Sequence, residues 1–350
     1  MHFFDKTLLS RRTFLKKTSR TVGFGALSLL VGPQLKGIAQ SGFLPTWERI
    51  EAANEGPSAR SNHAMIFDPE GTRILVFGGR ERRDFLNDVW AFSLENRIWT
   101  NITPSGNGPA PRRTPATIYD PQAQQLVTYS GQGAGFFNDI WGLDLDTLDW
   151  TEFQDAPRPA PRYGTVLAHD AARQNALTFA GFTSERGRFN DTWRFSLETN
   201  EWKELNLDGP RPGLRCLHMG TFDSDRDQFM IYGGQRNGPL ADLWAFDPST
   251  ETWREIVTDT HPPARMFATM VYADQFQEVL VHGGSGAGVF GDLWVFNPDD
   301  EQWIELNVEG DTPSARHSHS SVWITGLGMM MFGGNTINGL GNDLWKLSFS

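Results

Sequence analysis

The chain has 350 residues, with 31 Lys and Arg against 42 Asp and Glu, and a formal net charge of −11. Such a balance excludes the broad basic surface that nucleic-acid-binding proteins present to phosphate backbones. A single cysteine, Cys216, excludes an intramolecular disulfide.

The first 39 residues have the pattern of an export signal. Paired arginines in Ser10–Lys16 precede a weakly apolar run over 21–31, and small residues follow at Gly37 and Ala39. This order predicts a signal peptide cleaved after Ala39. The alternative is a retained membrane anchor, although the apolar run is shorter than the roughly 20 residues needed to span a bilayer.

The paired arginines resemble the twin-arginine signals of bacteria and archaea, whose translocase exports folded proteins. That resemblance implies a prokaryotic cell, the twin-arginine translocase as a partner during export, and a periplasmic or extracellular location. Removing residues 1–39 leaves 24 basic and 41 acidic residues, a net charge of −17. We therefore expect residues 40–350 to form a single domain that binds no nucleic acid and does not insert into a membrane.

The rest of the chain is one repeated pattern of about 51 residues, a length typical of a β-propeller blade. A glycine that ends an apolar run recurs at Gly79, Gly131, Gly181, Gly234, Gly284 and Gly334. An Asp-x-Trp motif follows each glycine, with its tryptophan at Trp90, Trp141, Trp193, Trp244, Trp294 and Trp345. A second tryptophan recurs at Trp47, Trp99, Trp150, Trp202, Trp253 and Trp303.

Within the first complete repeat, four short strands are predicted in chain order. Apolar segments at 62–67 and 74–77 flank an Asp-Pro-Glu-Gly turn, and Gly78-Gly79 ends the second of them. The segments 88–92 and 99–102 then complete an antiparallel meander.

The two ends of the chain supply parts of one blade. Trp47–Ile50 matches a fourth strand, whereas the chain finishes at Leu344–Leu347, a third strand that lacks its fourth. We therefore predict an all-β, six-bladed propeller with four antiparallel strands per blade, in which the strand around Trp47 closes the last blade. Closure removes exposed sheet edges.

The repeats resemble kelch motifs over residues 44–350. The clearest matches are Phe77-Gly78-Gly79, Tyr232-Gly233-Gly234, His282-Gly283-Gly284 and Phe332-Gly333-Gly334, each followed by Asp-x-Trp. The resemblance implies the six-bladed propeller and a first strand of each blade that lines a central channel.

One arginine opens each blade: Arg60, Arg112 (or its neighbour Arg113), Arg162, Arg215, Arg265 and Arg316. A ring of guanidinium groups is a candidate ligand site, since each can hold a carboxylate or phosphate in forked hydrogen bonds. The alternative is structural, because each blade also supplies one aspartate: Asp88, Asp139, Asp191, Asp242, Asp292 and Asp343. If the ring binds an anionic sugar, alanine at Arg215 abolishes binding and leaves the fold intact; if it is structural, the variant unfolds.

Histidines interrupt the regularity and are further candidate ligand residues. His63, His218 and His319 each lie three residues after a ring arginine, and His317 lies beside the last of them. Histidine is a common metal ligand, but these spacings match no local zinc motif, so no metal and no cofactor are predicted.

Two kelch enzymes supply alternatives to a binding function. Similarity to the sialic-acid epimerases, exported six-bladed enzymes that act on an acidic sugar, implies Arg162, Arg215 and Arg265 as an anion clamp. Similarity to the galactose oxidase family, whose copper site includes a cysteine bonded to a tyrosine, points to Cys216 and Tyr163. That family has seven blades, and this copper oxidase hypothesis is the more remote.

The loops after each Gly-Gly share little sequence, and variable loops on a rigid scaffold are where recognition usually occurs. We therefore predict an exported kelch-repeat protein that binds a protein or carbohydrate through one loop face, with an enzyme acting on an acidic sugar as the alternative.

Overall fold

The computed structural model describes residues 37–38, 44–154 and 157–350. They belong to one compact unit, Lys36–Ser350. Apart from Gly37 and Ile38, the predicted signal peptide lies outside the described residues.

The first three blades are four-stranded antiparallel sheets that follow β1, Pro45–Ile50. Blade 1 contains β2 (Ala64–Asp68), β3 (Arg73–Glu81), β4 (Asp84–Ser93) and β5 (Trp99–Asn101). Blade 2 contains β6 (Ala116–Asp120), β7 (Gln125–Tyr129), β8 (Ile140–Asp144) and β9 (Trp150–Glu152). Blade 3 contains β10 (Val166–Asp170), β11 (Asn175–Thr183), β12 (Gly187–Ser196) and β13 (Trp202–Leu205), with a short 3₁₀ helix, Ala171–Arg173.

The last three blades repeat this order. Blade 4 contains β14 (Met219–Asp223), β15 (Gln228–Gln235), β16 (Pro239–Asp247) and β17 (Thr252–Ile256). Blade 5 contains β18 (Thr269–Ala273), β19 (Glu278–Ser285), β20 (Val289–Asn297) and β21 (Gln302–Leu306). Blade 6 contains β22 (Arg316–His317), β23 (Ser320–Ile324), β24 (Gly328–Thr336) and β25 (Gly339–Phe349).

The inner strands β2, β6, β10, β14, β18 and β23 contact one another in sequence, and β2 contacts β23, so the six blades form a closed ring. The predicted all-β propeller is confirmed. The N-terminal ends of the inner strands lie on the face that carries the loops after each Gly-Gly, here called the loop face. The opposite face carries the turns at 69–72, 121–124, 171–174, 224–227, 274–277 and 325–327 and is called the turn face.

The predicted closure of the ring is also confirmed. β1 pairs antiparallel with β25, with Trp47 opposite Leu347 and Ile50 opposite Leu344. Trp47 packs edge-on against Trp345, with ring centroids 6.5 Å apart. Strands that are distant in sequence therefore share one sheet and leave no unpaired edge between the chain ends.

The recurrent second tryptophan has a repeated structural role between blades. Trp99 packs on Phe332, Trp150 on Phe77, Trp202 on Tyr129, Trp253 on Phe179, Trp303 on Tyr232 and Trp47 on His282, with ring centroids 4.8 to 5.5 Å apart. In each case the partner precedes the Gly-Gly position of the previous blade. The period in the sequence thus records blade-to-blade packing, where large aromatic side chains contribute most of the buried area.

The Gly-Gly pair makes a bulge at the end of the second strand. In blade 1 the register between β3 and β4 shifts between Phe77 and Gly79, whose φ is +97°. A Cβ at Gly79 would lie 2.8 Å from the Ser61 carbonyl oxygen, so a side chain is excluded there. The Gly79 N–H donates 2.9 Å to the carbonyl of Arg112 and links blade 1 to blade 2.

Ile38 packs into the core between blades 5 and 6. Its side chain is 2% exposed, and its N–H donates 2.7 Å to Glu278 Oε2. Burial raises the pKa of Glu278 to about 7, although the Ile38 hydrogen bond opposes the shift. Cleavage after Ala39 would remove this contact. No helix among residues 37–38, 44–154 and 157–350 is long and apolar enough to cross a membrane.

Candidate functional site

Each ring arginine is buried and bonded to the aspartate of its own blade. For Arg215, Nη1 and Nη2 donate to the two carboxylate oxygens of Asp242 at 2.8 and 2.6 Å. Nη1 also donates to the Gly233 carbonyl and Nε to the Gly213 carbonyl. The same pairs form in every blade: Arg60–Asp88, Arg112–Asp139, Arg162–Asp191, Arg265–Asp292 and Arg316–Asp343.

These arginines are 0 to 2% exposed, so none of them presents a free guanidinium to the channel. The structure also settles the choice in blade 2, where Arg112 occupies the ring position and Arg113 does not. The same buried arginine–aspartate pair forms in all six blades, and its hydrogen bonds use the guanidinium group. The acidic-sugar hypothesis therefore loses the anion clamp on which it depended.

The arginine partner favours the ionised form of the aspartate in five of these pairs. Burial alone would raise the pKa of Asp242, but the hydrogen bonds and charge of Arg215, with the Trp244 indole N–H, lower it on balance. The pKa is lowered in the same way at Asp88, Asp139, Asp292 and Asp343. The Asp-x-Trp motif follows from this geometry, since each tryptophan donates to the aspartate two residues before it, as Trp244 does at 2.8 Å.

Three of the four candidate histidines lie deep at the loop-face mouth of the channel. His63, His218 and His319 are each 5% exposed and line a cavity of about 120 Å³. His319 Nε2 lies 3.1 Å from Nδ1 of His282, a buried histidine in β19 of blade 5. His317 is half-buried, with its ring on Phe267 at 5.9 Å. Among the described residues, no group of three or more His, Cys, Asp or Glu side chains is placed to hold a metal.

Burial keeps these histidines neutral. Desolvation, together with nearby ring arginines, lowers the pKa of His63, His218 and His282 to about 3. Desolvation and the adjacent His282 lower the pKa of His319 well below its usual range. In the unfolded chain these histidines bind protons near pH 6.5, whereas in the folded protein they stay neutral. Their contribution to the free energy of unfolding is therefore fully present above about pH 6.5 and is lost as the pH drops toward 3.

The protein should therefore lose stability on mild acidification, and each buried histidine contributes about 2 kcal/mol between pH 7 and pH 5. His218→Phe removes one titrating ring and keeps the aromatic contact with Phe179, whose centroid is 5.7 Å away. We expect its loss of unfolding free energy from pH 7 to pH 5, measured by urea denaturation, to be about 2 kcal/mol smaller than that of the unmodified protein. The control is His261→Gln at an exposed site. If the free energy of unfolding depends equally on pH in both variants, His218 is not one of the histidines that cause the loss of stability.

A different group of arginines lies on the loop face, and none of them has a carboxylate partner among the described residues. The residues that follow each ring arginine pair with those that follow each Gly-Gly, which brings Ser61 beside Arg80 and Arg113 beside Gln132. Among the described residues, Arg80, Arg113 and Arg188 form no ion pair within 4.0 Å. We call these three residues the arginine cluster.

Aromatic and amide groups hold the arginine cluster in place. Arg113 lies over the Tyr163 ring at 5.1 Å and donates from Nε to Gln132 Oε1 at 3.0 Å. Arg188 lies over Phe182 at 5.5 Å and donates to Gln235. Burial, with the positive charge of Arg80 as a smaller cause, lowers the pKa of Arg113.

Two members of the cluster also have unsatisfied donors. The Nε atoms of Arg80 and Arg188 are buried with no hydrogen-bond partner in the described part of the chain.

Sequence reasoning missed this cluster because it followed the periodic arginines. The signal that could have found the cluster is the lack of a repeat: the residues next to the ring arginines and after the Gly-Gly pairs differ from blade to blade.

Cys216 and Tyr163, the residues of the copper oxidase hypothesis, both lie near this cluster. Cys216 is a free thiol, 1% exposed, and burial raises its pKa, while Arg188 acts in the opposite direction. Burial raises the pKa of Tyr163, with a further contribution from Cys216. A buried thiol of raised pKa is a poor nucleophile and a poor metal ligand.

The channel widens toward the turn face. A middle cavity of about 220 Å³ leads from the histidines to an opening of about 600 Å³ lined by the C-terminal ends of the inner strands. The two mouths therefore differ in size and in the side chains they present.

Comparison with known proteins agrees with this architecture. The family model for the KLHDC2/KLHL20/DRC7 Kelch-repeats domain matches residues 44–157 and 154–334. The chain is 28% identical over 326 residues, 87% of its length, to a leucine-zipper-like transcriptional regulator 1 homolog of Drosophila melanogaster, and covers 32% of that protein. It is 26% identical over 250 residues, 65% of its length, to human leucine-zipper-like transcriptional regulator 1, of which it covers 29%.

A mouse protein, multiple epidermal growth factor-like domains protein 8, is 25% identical over 209 residues, 55% of the chain and 7% of that protein. The chain thus spans about a third or less of the curated relatives it matches. The matched family model covers all six Gly-Gly positions, which the structure places at equivalent points of six blades. The chain belongs to the kelch-repeat family.

Proposed function

We propose that this kelch propeller is an exported binding module whose loop face takes an acidic segment of a partner protein. The arginine cluster carries the proposal. Three guanidinium groups without carboxylate partners, two of them with buried unsatisfied donors, offer charge and hydrogen bonds to an incoming carboxylate.

Two further observations support a binding role. Rigid aromatic contacts hold the cluster before any ligand arrives, which lowers the ordering cost of binding. Two of the relatives are called transcriptional regulators, and regulation by a protein commonly works through a bound partner. Export rests on the twin-arginine pattern at Arg11 and Arg12, and carbohydrate remains a second ligand class that the same cluster could hold through a carboxylate.

The test is binding of the full chain to a fluorescent glutamate- and aspartate-rich peptide, followed by anisotropy. Removal of the charge at two cluster residues, Arg113→Ala with Arg188→Ala, should weaken binding at least tenfold and flatten its salt dependence. Arg254→Ala is the matched control, because this arginine is 55% exposed on the outer strand β17.

Sialic acid in a parallel calorimetric titration separates the two ligand classes. Binding of the peptide but not the sugar, lost in the double variant alone, supports the proposal. Equal binding by the double variant and by Arg254→Ala would overturn it.

For export, fusion of residues 1–39 to a folded reporter should place the reporter outside the cytoplasm. Substitution of lysine at both Arg11 and Arg12 should stop this export. A reporter that stays inside the cell with either signal would overturn the export proposal.

A further inference from the structure

Six aromatic side chains surround the wide mouth on the turn face. They occupy the position seven residues after each ring arginine: Phe67, Tyr119, His169, Phe222, Tyr272 and Trp323. All six line the opening of about 600 Å³, a volume within the usual range for ligand pockets. We call these residues the aromatic collar.

The strands and turns around the collar are rich in acidic residues. The inner strands and the turns of the turn face contain eight carboxylates and two arginines. Both arginines are already paired, Arg173 with Asp170 and Asp227, and Arg226 with Asp223 and Asp299. The described residues that line the opening include no lysine and no arginine.

Several carboxylates at this mouth are fixed by the collar itself. Asp274 accepts from the Trp323 indole N–H at 3.0 Å and from the Thr325 hydroxyl at 2.5 Å. Asp225 accepts from the Tyr272 hydroxyl and from Gln277. Neither aspartate forms an ion pair with a basic side chain among the described residues, so each carboxylate lies beside an aromatic ring without a basic partner.

We propose that the aromatic collar is a second binding site, which takes an arginine- or lysine-bearing peptide segment of a partner protein. Ring faces attract a cation, and fixed carboxylates pair with it, while the open channel leaves room for its aliphatic stem. Charge complementarity selects this occupant over a neutral sugar, which would also stack on aromatic rings. The site lies at the other end of the channel from the arginine cluster and has the opposite charge.

The experiment measures anisotropy of a fluorescent peptide that alternates glycine and arginine, added to the full chain. Asp274→Asn and Phe222→Leu should each weaken binding about fivefold, since each removes one cation contact of ordinary strength. Asp146→Asn, in an exposed outer turn of the same face, is the matched control and should leave affinity unchanged. Thermal unfolding checks that all three variants stay folded.

A peptide with glutamine in place of arginine and a neutral oligosaccharide complete the design. Weakening confined to the collar variants, together with no binding of these two probes, supports the proposal. Equal losses in Asp274→Asn and Asp146→Asn would indicate attraction to net charge alone and overturn it. Binding of the glutamine peptide or of the sugar at the same affinity would also overturn it. The acidic peptide of the preceding section reports on the opposite face, so either site can fail without the other.

Discussion

Alanine at Arg215 is expected to lower the free energy of unfolding by about 3–5 kcal/mol. The change removes the bidentate partner of Asp242, which keeps the Trp244 N–H, and leaves the Gly213 and Gly233 carbonyls without the donor that Arg215 supplied. Urea denaturation followed by tryptophan fluorescence measures the effect, because the tryptophans pack between blades.

Two comparisons make this prediction specific. Arg236→Ala alters an exposed arginine on the same face and should change stability by less than about 0.5 kcal/mol. Replacing both partners, Arg215→Met with Asp242→Leu, should cost less than Arg215→Ala, since no buried charge is left alone. An Arg215→Ala protein that stays fully folded but fails to bind an anionic sugar would instead restore the ring arginines as a ligand site.

Alanine at Trp47 should destabilise the protein by about 3–5 kcal/mol, the usual cost of deleting a buried tryptophan. Trp47 is 9% exposed and packs against Trp345 and His282, so its removal leaves a cavity between blades 5 and 6. The loss also weakens the pairing of β1 with β25, which exposes strand edges and favours aggregation.

The residue two positions after Trp47 supplies the control. Arg49 lies in the same strand, is 60% exposed and forms an ion pair with Glu51 at 3.5 Å, so Arg49→Ala should change stability by no more than about 1 kcal/mol. Melting temperature and light scattering during heating record both variants. Similar melting temperatures for Trp47→Ala and the unmodified protein would show that the ring does not depend on this strand.

Much of the fold could be predicted because one set of contacts is repeated six times. The second tryptophan of each blade packs on the residue before the Gly-Gly of the previous blade, so the period of the sequence is the period of the packing. The shared sixth blade was also predictable, because Trp47–Ile50 matches the one strand that Leu344–Leu347 lacks.

The roles of the arginines could not be predicted in this way. A ring arginine and a ligand-binding arginine are the same residue type in the sequence, and the difference is a partner about 27 residues away that only folding brings into contact. Arg113 illustrates the problem: it lies next to Arg112 in the chain, yet Arg112 is bonded to Asp139, whereas Arg113 has no carboxylate partner in the part of the chain that the structure describes.

By itself, then, the sequence determined the blade number, the strand order and the closure of the ring, because periodic local patterns and buried aromatic residues dictate them. The tertiary structure decided which charges are neutralised and which remain open. It placed the uniform arginines in buried pairs, left the arginine cluster unpaired on one face, and gathered the aromatic collar and its carboxylates on the other. Which charges are neutralised depends on the distance between side chains that are far apart in the sequence, such as Arg215 and Asp242, and only folding sets that distance.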